Sequence, residues 1–118
     1  MDYPVLDDQE LNKFSRQLKA ICEPNRLMLL EKIIEGVQCN ADLCEALQMA
    51  PNLISHHLGV LREAGLVDVE HDPMDARWVN YSINIQAVDD LKKSFGDFFN
   101  PQRFQPRRSA PRPQNGME

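Results

Sequence analysis

The sequence predicts a mainly helical domain in which four helices are followed by a β-hairpin and a fifth helix. Three observations indicate this order. Apolar residues recur at helical spacing through the first half of the chain, the spacing changes to strict alternation after residue 66, and helical spacing returns after residue 84. The 118 residues, 42% of them apolar, are enough for one compact domain with its own core.

The first two helices are indicated by apolar stripes and by residues that favour helix ends. The first predicted helix covers Asp8–Ile21, and the second begins at Pro24 and ends at Gly36. The apolar positions of the first helix are Leu11, Phe14, Leu18 and Ile21, and those of the second are Leu27, Leu30, Ile33 and Ile34.

A short third helix and a fourth helix follow, joined by a three-residue connection. Asn40 is predicted to cap the third helix over residues 41–47. Pro51 opens the fourth helix, and Gly65 closes it. Its buried side is predicted to consist of Ile54, Leu58 and Leu61. Two helices joined by so short a turn form a helix-turn-helix.

The β-hairpin is predicted from alternating residues and a turn. Val67–His71 alternates between apolar and polar residues, residues 72–75 read as a turn, and residues 77–83 form the returning strand. Asn84 caps the last helix, whose apolar positions are Val88, Leu91, Phe95, Phe98 and Phe99. A hairpin directly after a helix-turn-helix is the wing of a winged helix-turn-helix.

Charge divides the chain into two parts. Residues 101–118 hold four arginines, one glutamate and four of the eight prolines, a net charge of +3, and are predicted to be disordered. Because the whole chain carries −5, residues 1–100, the predicted winged-helix domain, carry −8. An acidic domain is atypical of a general nucleic-acid coat protein, but one locally basic face is sufficient for DNA binding.

Several functional classes are excluded on these grounds. The longest aliphatic run is four residues, and the start of the chain is acidic, so we expect no membrane span, no export signal and a cytoplasmic location. Three cysteines favour thiol chemistry over a disulfide framework. No Ser-His-acid set, glycine-rich phosphate loop or carboxylate pair is recognisable, so we predict that the chain is not an enzyme.

The fourth helix carries a polar stripe opposite its apolar one. These residues, which can reach base edges and phosphates, are Asn52, Ser55, His56 and Gly59. Arg62 and Arg77 are predicted phosphate contacts. The alternative for the stripe is a solvated face without function. Adjacent histidines lie about 100° apart on a helix, so His56 and His57 cannot share a metal, and one should face the groove while the other packs.

The sequence resembles the ArsR/SmtB family of bacterial metalloregulators over residues 10–99. The segments that carry the resemblance are ICEPNRL (21–27), CNADLCEAL (39–47), ISHHLGVLREAGLV (54–67) and RWVNY (77–81). The resemblance implies a homodimeric winged-helix repressor that binds double-stranded operator DNA without a cofactor and leaves it when an inducer binds. It also implies a dimer formed by the first and last helices, through Phe14, Leu18, Leu91, Phe95, Phe98 and Phe99. The alternative for these side chains is the core of a monomer.

The cysteines indicate the inducer. Arsenic-sensing members carry Cys-x-Cys-Asp-Leu-Cys in the third helix, whereas here Cys39 and Cys44 occupy the outer positions and Ala41 the middle one. Soft trivalent arsenic and antimony favour thiolates, so we predict a two-thiolate site whose third position is taken by water, a small thiol or a carbon substituent. Zinc-sensing relatives place histidines on the last helix, and residues 86–99 contain none. The alternatives are gating by thiol oxidation, or a non-metal signal with purely structural cysteines.

Helix geometry limits how these thiols can act. Five residues on a regular helix leave two side chains about 140° apart, so Cys39 and Cys44 cannot chelate one atom on an intact helix. With Asn40 as the cap, Cys39 lies outside the helix, and binding would distort the helix start. Proximity to a helix N-terminus should favour both thiolates. Cys22, about 18 Å from Cys39 across the second helix, is predicted to be a buried apolar thiol; the alternative is a ligand contributed across the dimer.

Overall fold

The computed structural model describes residues 3–75 and 77–107. Its elements in chain order are α1 (Asp8–Ile21), α2 (Pro24–Ile34), α3 (Asn40–Leu47), α4 (Pro51–Glu63), β1 (Val67–His71), β2 (Val79–Ile83) and α5 (Ile85–Phe98). The predicted mainly α architecture with a hairpin wing, α1-α2-α3-α4-β1-β2-α5, is confirmed. Among these elements, α3 packs against α4, and α2 and α3 both contact β2.

Local side chains define where the helices begin. Asp7 accepts from the backbone N–H of Glu10 while the Glu10 carboxylate accepts from that of Asp7, a reciprocal cap at the start of α1. Asn84 accepts from the backbone N–H of Ala87 at 2.9 Å and caps α5 as predicted. The prediction for α3 is wrong by one residue: Cys39 is the N-cap residue, and Asn40 is the first helical residue.

The core lies where α2, α3 and α4 meet the hairpin. Its buried members are Ala20, Leu29, Ile33, Leu43, Ile54, Leu58, Leu61, Leu66 and Val67. The predicted inward face of α4 is therefore confirmed. Leu43 is the one buried residue of α3, all of whose residues are described, so this side chain anchors the helix to the core.

The predicted apolar stripe of α2 is partly wrong. Leu29 is fully buried and Ile33 is 5% exposed, whereas Leu27 and Ile34 are 52% and 70% exposed. Leu29 and Ile33 lie one turn apart and face the core together. Because α2 has apolar residues on most of its surface, their spacing did not identify the face that contacts α3 and α4.

The hairpin pairs β1 and β2 in antiparallel register, from Val67 opposite Ile83 to His71 opposite Val79. The predicted second strand begins two residues too early, because the chain is still turning there. Asp72 accepts from the backbone N–H of Met74 at 2.8 Å, and the Trp78 N–H donates to the Asp75 carbonyl at 2.9 Å. These bonds shape the tip of the wing and delay strand pairing to Val79.

Aromatic rings join α1 to α5. The Phe14 ring lies 6.2 Å from Phe95 and 5.7 Å from Phe98, and Phe99 lies 5.0 Å from Phe95, measured between ring centroids. Phe14 is 4% exposed, so it is buried within the chain itself. It packs beneath the rings of Phe95 and Phe98 rather than lying on the predicted dimer surface. Phe95 and Phe99 remain 50% and 51% exposed, and Leu18, Leu91 and Phe98 are half-buried.

The C-terminal segment is ordered at its start. Pro101–Arg103 form a 3₁₀ turn, capped by Asn100, and the Arg103 guanidinium lies over the Phe98 ring at 5.2 Å and donates to the Phe98 carbonyl. The prediction of disorder is therefore wrong for residues 101–103. Residues 108–118 of that prediction lie outside the described residues. Within the described ranges, no helix is long and apolar enough to cross a membrane.

Candidate nucleic-acid interface and thiol site

A tight turn fixes α4 relative to α3. The Cys44 carbonyl accepts from the backbone N–H groups of both Gln48 and Met49, the latter at 3.2 Å. Gln48 adopts the left-handed conformation with φ 54°, which reverses the chain. Pro51 then starts α4 without a side-chain cap from Ala50. The Cys44 backbone is thus hydrogen-bonded to the turn that leads into α4.

The predicted polar stripe of α4 faces solvent. Asn52, Ser55, His56 and Gly59 are all exposed, whereas the neighbouring His57 is 6% exposed. The prediction that one histidine faces outward and the other packs is confirmed. A Cβ atom on Gly59 would meet no atom within 4 Å. Packing inside the protein therefore does not require a glycine here, and its effect is to leave the outer surface of α4 without a side chain at this position.

The two predicted phosphate contacts differ in charge environment. Arg62 is exposed at the end of α4 and lines a shallow groove with the acidic residues Asp68 and Glu70. Arg77 is exposed at the wing, but its guanidinium pairs with the Asp75 carboxylate through Nη2 at 2.7 Å and Nε at 3.0 Å. This pairing raises the pKa of Arg77 and lowers that of Asp75. At the wing, Arg77 is therefore already paired with Asp75. A phosphate that contacted Arg77 would have to compete with this carboxylate.

A polar cluster around the buried His57 connects α4 to the α1–α2 corner. Arg26 Nη1 donates to His57 Nδ1 at 3.2 Å, and Arg26 also donates to the carbonyls of Ala20 and Lys19. Because a guanidinium can only donate, Nδ1 of His57 is unprotonated and the proton resides on Nε2. The Glu23 carboxylate lies 3.7 Å from Nε2. Burial lowers the pKa of His57, and the opposing attraction of Glu23 is smaller.

We expect this histidine to make folding stability fall on acidification. The lowered folded pKa means that the unfolded chain binds a proton first, so stability is complete well above pH 6.5 and is lost as the pH falls through the folded pKa. His57→Gln should flatten the stability profile between about pH 7 and pH 5. Urea unfolding at several pH values measures this, with the exposed His56→Gln as the matched control. An unchanged slope in His57→Gln would contradict the assignment.

The sequence gives little sign that Cys39 is tied to the wing. Its backbone forms an isolated antiparallel bridge with Asn80 of β2, and the Tyr81 N–H donates to the Gln38 carbonyl at 2.9 Å. Cys39 itself is extended (φ −95°, ψ 155°) and lies outside the regular helix, as expected for that thiol. The start of α3, which carries the Cys39 thiol, is therefore joined to the hairpin through backbone hydrogen bonds.

The expected thiolate character of Cys39 is contradicted. The pKa of the Cys39 thiol is raised, chiefly by its hydrogen bond to the Asp42 carboxylate and then by burial. Backbone N–H groups of Ala41 and Asp42 act in the opposite direction, as predicted for a helix start, but they are outweighed. The carboxylate two positions before Cys44 is the signal that could have indicated this from the sequence.

The Cys44 thiol is linked through side-chain hydrogen bonds to the polar stripe of α4. Its Sγ–H donates to Asn40 Oδ1 at 3.3 Å, and Asn40 Nδ2 donates to Ser55 Oγ at 3.4 Å. These bonds explain why Asn40 does not cap α3, since its amide is turned toward the neighbouring side chains instead. Sequence reasoning missed this role, although Asn40 lies one helical turn before Cys44.

Cys22 departs from its prediction as a buried thiol. It is exposed, and it lines an apolar groove between α1 and α5 together with Leu18 and Phe99. The residue follows the last turn of α1, where the chain leaves the core toward α2. Across residues 3–75 and 77–107, no group of three or more His, Cys, Asp or Glu side chains is arranged to hold a metal ion.

Comparison with known proteins agrees with this geometry. Residues 23–69, which span α2 to β1, match the family model of bacterial regulatory proteins of the arsR family. The chain is 33% identical to the uncharacterized HTH-type transcriptional regulator MJ1325 of Methanocaldococcus jannaschii over 72% of this chain and 93% of that protein. The chain belongs to the ArsR family. This membership confirms the resemblance seen in the sequence.

Two further proteins are similar to this chain. The chain is 40% identical to the HTH-type transcriptional regulator NmtR of Mycobacterium tuberculosis over 52% of each protein, so it spans about half of that relative's length. The crystal structure of a possible transcriptional regulator for arsenical resistance is 32% identical, with a TM-score of 0.60 over 68% of this chain and 80% of that one. As a member of a family of DNA-binding transcriptional regulators, this ArsR protein is not an enzyme.

Proposed function

We propose that this ArsR-family chain is a homodimeric repressor that binds operator DNA through α4 and the wing, and that trivalent arsenic or antimony bound to Cys39 and Cys44 releases it. One observation carries the proposal: both cysteines stand where α3 is joined to a DNA-facing element. The Cys39 backbone pairs with β2, and the Cys44 carbonyl closes the turn before α4. A ligand that draws the two sulfurs together must disturb the pairing of Cys39 with β2, the turn at Cys44, or both.

The donor chemistry of α3 fits a soft trivalent centre. Both thiols are free and half-buried, and Cys39 lies outside the regular helix, so its side chain is not fixed at the helical angle to Cys44. Two thiolates leave the third position of arsenic or antimony to water, a small thiol or a methyl group. A relative's link to arsenical resistance supports the same class of inducer.

The surface of α5 supports the proposed dimer. Every residue of this helix is described and none is fully buried, although its apolar side chains form a stripe. A helix with such a stripe needs a second surface to cover it. A two-fold through α1 and α5 would present two copies of α4 to half-sites about one DNA turn apart.

Replacing either proposed ligand should abolish the response to arsenite. We expect wild type to lose operator affinity by about 5–150-fold on saturation with arsenite, and Cys39→Ser and Cys44→Ser to change less than about twofold. Cys22→Ser, an exposed thiol outside α3, is the matched control and should respond as wild type does. Operator release is measured by fluorescence anisotropy with arsenite, antimonite, methylarsenite, zinc and peroxide in parallel. Release of the serine variants by arsenite would refute the site, and release of wild type by peroxide alone would establish gating by thiol oxidation.

Base reading and phosphate contact should separate in the same assay. Ser55→Ala and His56→Ala are expected to change the preference among operator variants, each by about 1–3 kcal/mol at the contacted position. Arg77→Ala should weaken all variants alike and reduce the salt dependence by about one phosphate contact. Equal losses for every operator in the Ser55 and His56 variants would remove the base-reading assignment.

A further inference from the structure

A series of side-chain hydrogen bonds runs from Cys44 through Asn40 to Ser55. It joins the proposed arsenic site to the proposed base-reading face. It consists of two contacts, 3.3 Å from Cys44 Sγ to Asn40 Oδ1 and 3.4 Å from Asn40 Nδ2 to Ser55 Oγ. Asn40 and Cys44 are half-buried on α3, whereas Ser55 is exposed on α4. These are side-chain contacts, so they can reverse without any movement of the helices.

Hydrogen-bond polarity fixes the direction of this chain in the free protein. A thiol donates its proton, so the amide oxygen of Asn40 faces Cys44. The amide nitrogen then faces Ser55 and can only donate, which makes Ser55 Oγ the acceptor. The hydroxyl proton of Ser55 is consequently free to be donated outward, to a base acceptor or a phosphate oxygen.

Arsenic binding would remove the proton on which this order depends. When arsenous acid reacts with Cys44, the S–H and As–O bonds break, an As–S bond forms, and the thiol proton leaves with the hydroxide as water. Arsenic remains trivalent. The sulfur can then only accept a hydrogen bond, and it faces the Asn40 oxygen, which also can only accept.

We propose that Asn40 is a positioning residue whose side-chain amide turns over when Cys44 binds a trivalent arsenical, so that Ser55 changes from a donor toward DNA into a donor toward Asn40. In the reversed order Nδ2 donates to the arsenic-bound sulfur, and Oδ1 accepts the Ser55 hydroxyl proton. The serine then offers DNA only lone pairs where it had offered a proton. This regulation rests on the proposed function and adds to any bending of α3.

The test compares operator affinity and arsenite binding in Asn40→Ala. Arsenite binding is followed without DNA by the ultraviolet absorbance of As–S bonds, and operator affinity by anisotropy with and without saturating arsenite. Asn40→Ala should bind arsenite with unchanged stoichiometry, and its operator affinity without arsenite serves as the reference for its own response. Its arsenite-dependent loss of affinity should be at least fivefold smaller than that of wild type, whose loss is expected to lie in the 5–150-fold range.

Asn52→Ala is the matched control, since Asn52 is an exposed asparagine on the same face of α4 outside this chain of contacts. It should alter operator affinity but keep the full response to arsenite. In DNA-free wild type, the Nδ2 proton resonances of Asn40 should shift on addition of arsenite, and they should not shift in Cys44→Ser. If Asn40→Ala does not fold, Ser55→Ala provides the same reduced response at an exposed position.

The outcomes distinguish failure of the amide reversal from failure of the proposed function on which it rests. If wild type neither binds arsenite nor releases the operator, the proposed function fails, and this inference fails with it. If wild type responds and Asn40→Ala responds equally, the arsenic site stands and the amide reversal is overturned. A smaller response in Asn40→Ala together with the shifted Asn40 resonances would establish it.

Discussion

Replacing Phe99 by glutamate should convert the protein to monomers and weaken operator binding by at least about 100-fold. Phe99 is 51% exposed and continues the ring cluster of Phe95 and Phe98 at the end of α5. In the proposed dimer, a carboxylate placed among these rings would have to be desolvated, which costs far more than the loss of apolar contact. A dimer reading two half-sites binds about 10²–10⁴-fold more tightly than one subunit on one half-site, so the loss of operator affinity follows from the loss of the dimer.

Sedimentation and operator anisotropy measure the two parts of this prediction. The matched control is Ile34→Glu, because Ile34 is 70% exposed on α2 and lies away from the α1–α5 cluster. It should remain dimeric and bind the operator as wild type does. A Phe99→Glu protein that stays dimeric would locate the interface elsewhere, and a monomeric variant with full affinity would show that one subunit suffices.

Leu43→Ala should lower the free energy of unfolding by about 2–5 kcal/mol. Leu43 is fully buried and is the residue that anchors α3 in the core. The truncated side chain would leave a cavity between α3 and α4, which the eight-residue helix cannot fill without shifting. Because α3 carries both proposed arsenic ligands and supports α4, operator binding should weaken at temperatures where the variant is still largely folded.

Urea unfolding of Leu43→Ala tests the stability estimate directly. Ile34→Ala removes exposed apolar atoms from a neighbouring helix and should cost less than about 0.5 kcal/mol. Equal losses in the two variants would mean that α3 is not held by Leu43. A loss of stability in Leu43→Ala without any change in operator affinity would separate α3 docking from the positioning of α4.

The sequence predicted the elements more accurately than their surroundings. The bounds of α1 and β1, the inward face of α4 and the Asn84 cap of α5 were all correct, because each depends on residues close together in the chain. The cap of α3 was misassigned, since Asn40 satisfies neighbouring side chains rather than the helix end. The buried face of α2 was also misassigned, because several of its faces are apolar.

The candidate site shows the same division. The outward positions of Ser55 and His56 follow from helical spacing. The place of Cys39 outside the regular part of α3 was expected from an Asn40 cap, and it is observed because Cys39 is itself the N-cap residue. The protonated state of Cys39, in contrast, depends on where the Asp42 carboxylate points, and the ion pair of Arg77 depends on how the wing turns. Neither contact can be predicted from the spacing of residues along a helix or strand.

The sequence alone determined that this chain is a winged helix-turn-helix with one thiol just before its third helix and a second thiol within it. Apolar spacing, caps and turn residues are local properties, and they specify which residues share a face of one helix or strand. Only the tertiary structure decided what lies opposite each face: that Cys22 is exposed, that Phe14 is covered, and that Asn40 bridges Cys44 and Ser55. Those relations depend on how separate elements pack, and packing is fixed by the whole core together rather than by any one segment.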